Sequence, residues 1–190
     1  MPQKNVEFGK YGTQGIKGSD AVARRLDYLV DFIATPVTAK RGLLARLSYL
    51  TRSARTLQTA RQLGLTVTDR TLNAWRAGTQ RPTKANLERL DAVYRRVRRH
   101  HVARHLLTRL NAGGGTRVEI HPLNQSQVAR PHQRVVTYRK MNVRRWDAIV
   151  TAWANNDPRA LEEAWTTDVL PDLGSQWGQY EYVSNIGFAA

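Results

Sequence analysis

The stretch from Ala54 to Gly78, ARTLQTARQLGLTVTDRTLNAWRAG, has the internal logic of a helix-turn-helix and decides the reading of the amino-terminal half. Two crossing helices need a small residue at the crossing, a glycine in the turn, and apolar residues that seat the second helix on the first. Ala60, Gly64, Leu72 and Trp75 fill these roles. The first helix, about Ala54 to Leu63, ends at Gly64, the residue type suited to a left-handed cap. Thr68 or Asp69 caps the second helix, whose inward face is Leu72 and Trp75, and Gly78 ends it. In the common motif the apolar anchor follows the turn glycine by about six residues. Leu72 follows Gly64 by eight, so the turn is stretched by roughly two.

Working outward, residues 1–18 hold four Gly and three Lys with little apolar periodicity, which predicts a mobile basic arm. A helix is expected from Asp20 to Ile33, stopped by Pro36. A second, capped by Thr38, carries Leu43, Leu44, Leu47 and Leu50 on its apolar face, with Lys40, Arg41, Arg46 and Arg52 off it. Pro82 and Thr83 restart the chain after Gly78. From Lys84 to Leu110, Leu87, Leu90, Val93, Val97, Leu106 and Leu110 imply one long helix or two broken near His100. Its other face is basic: Arg89, Arg95, Arg96, Arg98, Arg99, Arg104 and Arg109.

The run NAGGG, residues 111–115, reads as a flexible joint between domains. Beyond it, Thr116 to Ile120 and Arg134 to Tyr138 look like strands, separated by a polar loop from His121 to Gln133. Val143, Trp146, Ile149, Val150 and Trp153 form a helical stripe. Asp157 before Pro158 starts another helix, with Leu161, Ala164, Trp165 and Val169 inward until Pro171. Gln179 to Phe188 reads as a last strand. The expected fold is a mainly α amino-terminal helix-turn-helix domain, residues 19–110, plus a small α+β carboxyl-terminal domain, residues 116–190, of order β-β-α-α-β.

Charge sharpens the division. Residues 1–112 hold 22 Lys+Arg against 7 Asp+Glu, whereas residues 113–190 hold 8 of each. A cationic excess confined to one half points to nucleic acid, because neutralising phosphates releases condensed counterions. Within the second half, residues 113–145 hold 7 basic side chains and 1 acidic, and residues 146–190 hold 1 basic and 7 acidic. Complementary faces for a partner or a second copy, hence a homodimer through this domain, and the two faces of one small domain both fit that order.

The absence of cysteine excludes disulfides, Cys-ligated zinc and a thiol nucleophile. The amino end has no apolar core of signal-peptide length, and no apolar run reaches the roughly 18 residues of a membrane helix. A cytoplasmic, nucleoid-associated protein without membrane contact is expected. His101 and His105 lie four apart without a carboxylate or thiol nearby, which favours solvated histidines over a metal pair. Asp157, Glu162, Glu163, Asp168 and Asp172 read as a cap and a wet helical face, and Trp146, Trp153 and Trp165 as core. No cofactor is implied and no enzyme is expected: GTQGIKG lacks the lysine-serine/threonine ending of a phosphate loop, and HExxH and GxSxG are absent.

Docked in the usual way, the second helix of the motif offers Arg70, Thr71 and Asn73 to base edges, Arg suiting guanine and Asn adenine. Thr68, Arg76, Thr79, Gln80, Arg81 and Lys84 then hold phosphates, joined by Arg95, Arg96, Arg98 and Arg99 of the long helix.

RTLNAWRAGTQRPT followed by LERLDAVYRRVRR, and the closing QYEYVSNIGF, resemble in order and spacing the telomere-associated terminal proteins of actinobacterial linear chromosomes and plasmids. The resemblance covers roughly residues 40–190. It implies DNA replication at the ends of a linear replicon, with DNA, a DNA polymerase and a telomere-binding protein as partners, and a side-chain hydroxyl that primes synthesis and stays bound to the 5′ end. The family's priming hydroxyl is a threonine after the glycine break. The corresponding loop here, HPLNQSQVARPHQ, has only Ser126, with Thr116 and Thr137 in the flanking strands and Arg130 and Arg134 to hold a nucleotide. The rival readings are a repressor of plasmid, phage or integrative-element genes, and a nucleic-acid-contacting component of a larger assembly.

Overall fold

The structure, a computed structural model, describes residues 13–173 and 180–188. In chain order the elements are β1 (Ile16–Lys17), α1 (Gly18–Val30), α2 (Lys40–Leu50), α3 (Ala54–Gln62), α4 (Asp69–Ala77), α5 (Lys84–Asn111), β2 (Thr116–His121), β3 (Arg139–Val143), α6 (Asp147–Asn155), α7 (Pro158–Ala164), β4 (Tyr182–Val183) and β5 (Asn185–Phe188). The protein is mainly helical with two small antiparallel sheets, β1-β4 and β3-β2-β5. No helix among the described residues is long and apolar enough to cross a membrane.

Two compact units emerge, and their boundary is not the glycine run. One comprises residues 30–102; the other joins the chain up to Leu29 with everything from Ala103 onward. The unit 30–102 holds 15 Lys+Arg against 4 Asp+Glu, so the charge excess narrows to it. Residues 111–115 are tied rather than loose: Thr116 Oγ1 donates to the Leu110 carbonyl at 2.7 Å and Asn142 Nδ2 to that of Gly114 at 2.9 Å. Gly115, at φ +118°, leaves no room for a Cβ, which would lie 2.4 Å from the Val143 oxygen.

In the unit 30–102, α2, α3, α4 and the first part of α5 enclose Leu47, Leu50, Ala60, Leu72, Trp75, Leu90, Val93, Tyr94 and Val97. The α2 register departs from expectation at Arg46, which is buried at 3% exposure rather than facing water. Its guanidinium pairs with Asp91 and donates to the carbonyls of Thr35 (2.8 Å), Gly42 (3.1 Å) and Ile33 (3.2 Å), lying over the Tyr94 ring at 5.2 Å. The Tyr94 hydroxyl accepts from the Ile33 amide at 3.0 Å. The segment between α1 and α2 has no ladder of its own, so these side chains satisfy its backbone. α5 runs unbroken for 28 residues through His100.

The other unit packs α1, α6, α7 and the sheets. Trp153 Nε1 donates to Asp27 of α1 at 2.8 Å, and Gly18 seats against the Trp165 indole, where a Cβ would lie 2.3 Å away. Asp157 caps α7 by accepting from the amides of Arg159 (3.1 Å) and Ala160 (3.0 Å), as Asp-Pro at a helix start predicts. Trp146, Trp153 and Trp165 are core.

The arm and two strand expectations need correction. The arm expected over residues 1–18 is paired at its end, where Gln14 bridges Asn124 and Ile16–Lys17 pair with Tyr182–Val183; residues 1–12 lie outside the described residues. The second strand is Arg139–Val143, not Arg134 to Tyr138, because Val118 and Ile120 pair with Met141 and Arg139. The closing strand divides at Ser184, its first half pairing with β1 and its second with β2; Gln179 lies outside the described residues. The order after α5 is thus β-β-α-α-β-β, with an amino-terminal strand added.

Candidate nucleic-acid interface

The helices α3 and α4 close at Gly64 and Gly78 by the same local device. After α3, Leu65 N donates to Ala60 O (2.9 Å) and Gly64 N to Arg61 O (3.1 Å), with Gly64 at φ +106°. After α4, Thr79 N donates to Ala74 O (3.1 Å) and Gly78 N to Trp75 O (3.3 Å), with Gly78 at φ +76°. Both are Schellman closures, in which a left-handed residue lets two amides reach back to the last turn. The stretched turn has a structural use. Its extra length lets Leu65 into the core with Val67 packed against it, while Arg89 of α5 donates to Thr66 Oγ1 at 3.0 Å.

The Thr68 hydroxyl caps α4 by accepting from the Thr71 amide at 3.2 Å, and the two threonine hydroxyls lie 3.0 Å apart. Leu72 and Trp75 are buried; Arg70, Asn73, Arg76, Ala77 and Gln80 are exposed. The predicted base-reading pair Arg70 and Asn73 therefore shares one open face of α4, with three-residue spacing. Thr71 is half-buried and engaged in the cap, so it joins the support of α4 rather than its open stripe. Asp69 is exposed at the helix start, and Arg61 holds it at 2.6 Å, which offsets a negative charge where a phosphate would approach.

The predicted phosphate holders divide. Arg76, Gln80 and Arg81 are exposed, Thr79 is exposed with its hydroxyl on the Ala74 carbonyl at 3.2 Å, and Lys84 is exposed at 4.0 Å from Glu88. Three arginines of α5 instead support the unit itself. Arg96 donates to the Leu63 carbonyl at 3.2 Å, Arg98 to that of Val30 at 3.1 Å, and Arg95 pairs with Asp91 at 3.0 Å while lying over the Phe32 ring at 4.9 Å. Arg96 and Arg98 are half-buried, as is Arg99. Arg55 and Gln58, outside the expected contact set, are also exposed, on α3 opposite buried Thr56 and Ala60. The same period that marks Ala60 as inward places them outward.

His101 and His105 are exposed, as expected, and the His101 ring is engaged by its neighbours. Its Nδ1 lies 2.8 Å from the Tyr49 hydroxyl and 3.1 Å from Arg52 Nη2, and since guanidinium only donates, this geometry favours an accepting Nδ1. Desolvation, then Arg52, His100 and other nearby cations hold His101 below the ordinary imidazole value of 6.5. Desolvation and Arg96 do the same for His100. A lowered folded pKa means that the unfolded chain takes up protons first, so stability is complete above about pH 6.5 and lost as pH falls through the folded values. The thermal midpoint should accordingly drop between about pH 7 and 5.5. His101→Gln should flatten that drop, and an equally steep profile in the variant would count against this account.

The priming candidates are scattered in role. Ser126 is exposed in a turn where its amide donates to Asn124 Oδ1 at 3.0 Å. Arg130 and Arg134 are exposed in the same loop, which is ordered by Gln125: its side chain accepts from the Arg134 amide (2.7 Å) and donates to the Arg134 carbonyl (2.9 Å). Thr116 Oγ1 is engaged with the Leu110 carbonyl, and Thr137 is exposed with its carbonyl accepting from Tyr180.

Compared with known protein families, curated proteins and solved structures, the chain matches none.

Proposed function

We propose that the unit 30–102 binds duplex DNA by laying α4 in the major groove, and that the protein acts at the ends of a linear DNA molecule. The observation that carries the DNA reading is the open face of α4. Arg70 and Asn73 stand exposed together on a helix that is capped at both ends and anchored by Leu72 and Trp75. Those two side chains offer a donor fork for guanine and an amide for adenine. Arg76, Arg81 and Lys84 flank them as phosphate contacts, and Arg55 of α3 adds a further cation.

The end-associated role rests on the resemblance to terminal proteins, with exposed Ser126 as the priming hydroxyl and Arg130 and Arg134 beside it. In this reading the chain contributes a hydroxyl and a basic surround, a polymerase supplies the catalysis, and the protein works at the nucleoid. The test is binding at about 150 mM salt, where long-range charge is screened, to matched duplexes with free ends, hairpin-blocked ends and a 3′ overhang. Preference for free or overhanging ends is the expected result. Equal binding to blocked and free ends, with dependence on internal sequence, would replace the end-associated role by that of a repressor while leaving the α4 interface intact.

A further inference from the structure

Antiparallel register assigns every side chain of the β3-β2-β5 sheet to one of two faces. Val118, Ile120, Val143 and Ile186 point into the core. The opposite face carries Arg117, Glu119 and His121 of β2, Lys140 and Asn142 of β3, and Asn185 of β5, and Arg117, Lys140, Asn142 and Asn185 on it are exposed. Tyr138, just before β3, is 40% exposed and meets the His121 ring edge-on with centroids 4.9 Å apart. An exposed tyrosine ring, with the half-buried His121 ring at its edge, therefore sits among the exposed polar side chains of this face.

The segment that carries β2 and β3 is one-sided in charge, and Arg117 and Lys140 of it share the face of the rings. Residues 113–145 contain seven Lys+Arg and a single acid, Glu119, which Lys140 holds at 2.9 Å. All seven cations are exposed. Tyr138 is drawn into the same cluster, with the Lys140 ammonium 5.5 Å from its ring centroid. A polyanion satisfies the cations, but only one class of polyanion also offers flat apolar faces at each charged unit. In a duplex the base faces are already stacked; in a single strand they are available to an aromatic side chain.

We propose that this sheet face binds single-stranded nucleic acid, with a base stacking on Tyr138 beside His121 and a phosphate held by Arg117 of the same face. The proposal goes beyond the duplex reading of α4 and does not depend on it.

The experiment is fluorescence anisotropy on the full chain with labelled thymidine and uridine homopolymers of about 12 nucleotides, within the site sizes such surfaces cover. Tyr138→Ala is expected to weaken binding about tenfold, since stacking on one ring contributes on that order. Tyr138→Phe, which keeps the ring, should retain it, and both variants should bind duplex as the parent does. Arg70→Ala with Asn73→Ala should behave in the opposite way, losing duplex and keeping the single strand. Tight binding of only one homopolymer supports the proposal and identifies the sugar. The proposal is overturned if neither homopolymer binds, if Tyr138→Ala binds like the parent, or if poly-glutamate competes as well as the oligonucleotides do.

Discussion

Arg46→Ala is expected to lower the stability of the unit 30–102 by about 2–3 kcal/mol, the order of the cost of leaving buried carbonyls without their partner. The guanidinium is 3% exposed and serves four acceptors on three different segments. Truncation leaves the carbonyls of Ile33, Thr35 and Gly42 without this partner, and takes away the flat cation packed on Tyr94. Asp91 keeps Arg95, so the penalty comes mainly from the carbonyls and the cavity rather than from an orphaned carboxylate. Arg46→Lys should recover little, because an ammonium cannot reproduce the planar fork that spans Asp91 and the carbonyls. Urea unfolding followed by circular dichroism checks this through the midpoint. A parent-like midpoint for Arg46→Ala would mean that water replaces the network without penalty.

The second large effect concerns binding. Arg70→Ala combined with Asn73→Ala should reduce specific duplex affinity on the order of a hundredfold or more, each side chain contributing about 1–3 kcal/mol of discrimination at its base. Both are exposed, so the fold should be unaffected. Arg76→Ala and Arg81→Ala should instead weaken all sequences alike and reduce the salt dependence by about one counterion each. Arg96→Ala provides the contrast. It loses the bond to the Leu63 carbonyl at the end of α3, so its signature is reduced stability with the salt slope retained. Salt titrations of specific and random duplexes separate these outcomes. Unchanged specificity in the Arg70/Asn73 double variant would remove α4 from the base-reading role.

Much of the helical architecture was legible because its causes are local. The glycines that close α3 and α4, the Thr68 cap and the Asp157-Pro158 start each act on amides and carbonyls within a few residues. The outward stripe of α4 follows from the period of Leu72 and Trp75, so the exposure of Arg70 and Asn73 is legible in the sequence while the half-burial of Thr71 is not. Its half-buried position depends on how its hydroxyl meets that of Thr68. The arginines of α5 were harder. Composition marks them as cations, but which are bound inside the unit depends on acceptors far along the chain: Leu63 for Arg96 and Val30 for Arg98.

The sequence by itself determined α3, α4 and the glycine turn between them, the helical elements around them and the concentration of cations on one half, because periodicity, caps and charge are properties of neighbouring residues. Tertiary structure alone decided four things. It set the register of β3, the division of the closing strand between two sheets, the burial of Arg46, and the grouping of α1 with the chain beyond Ala103. Strand pairing and buried charge are settled by partners tens of residues away. A strand reads much the same whether it starts at Arg134 or Arg139, and an arginine in an amphipathic helix looks solvated until the carbonyls that enclose it are brought alongside.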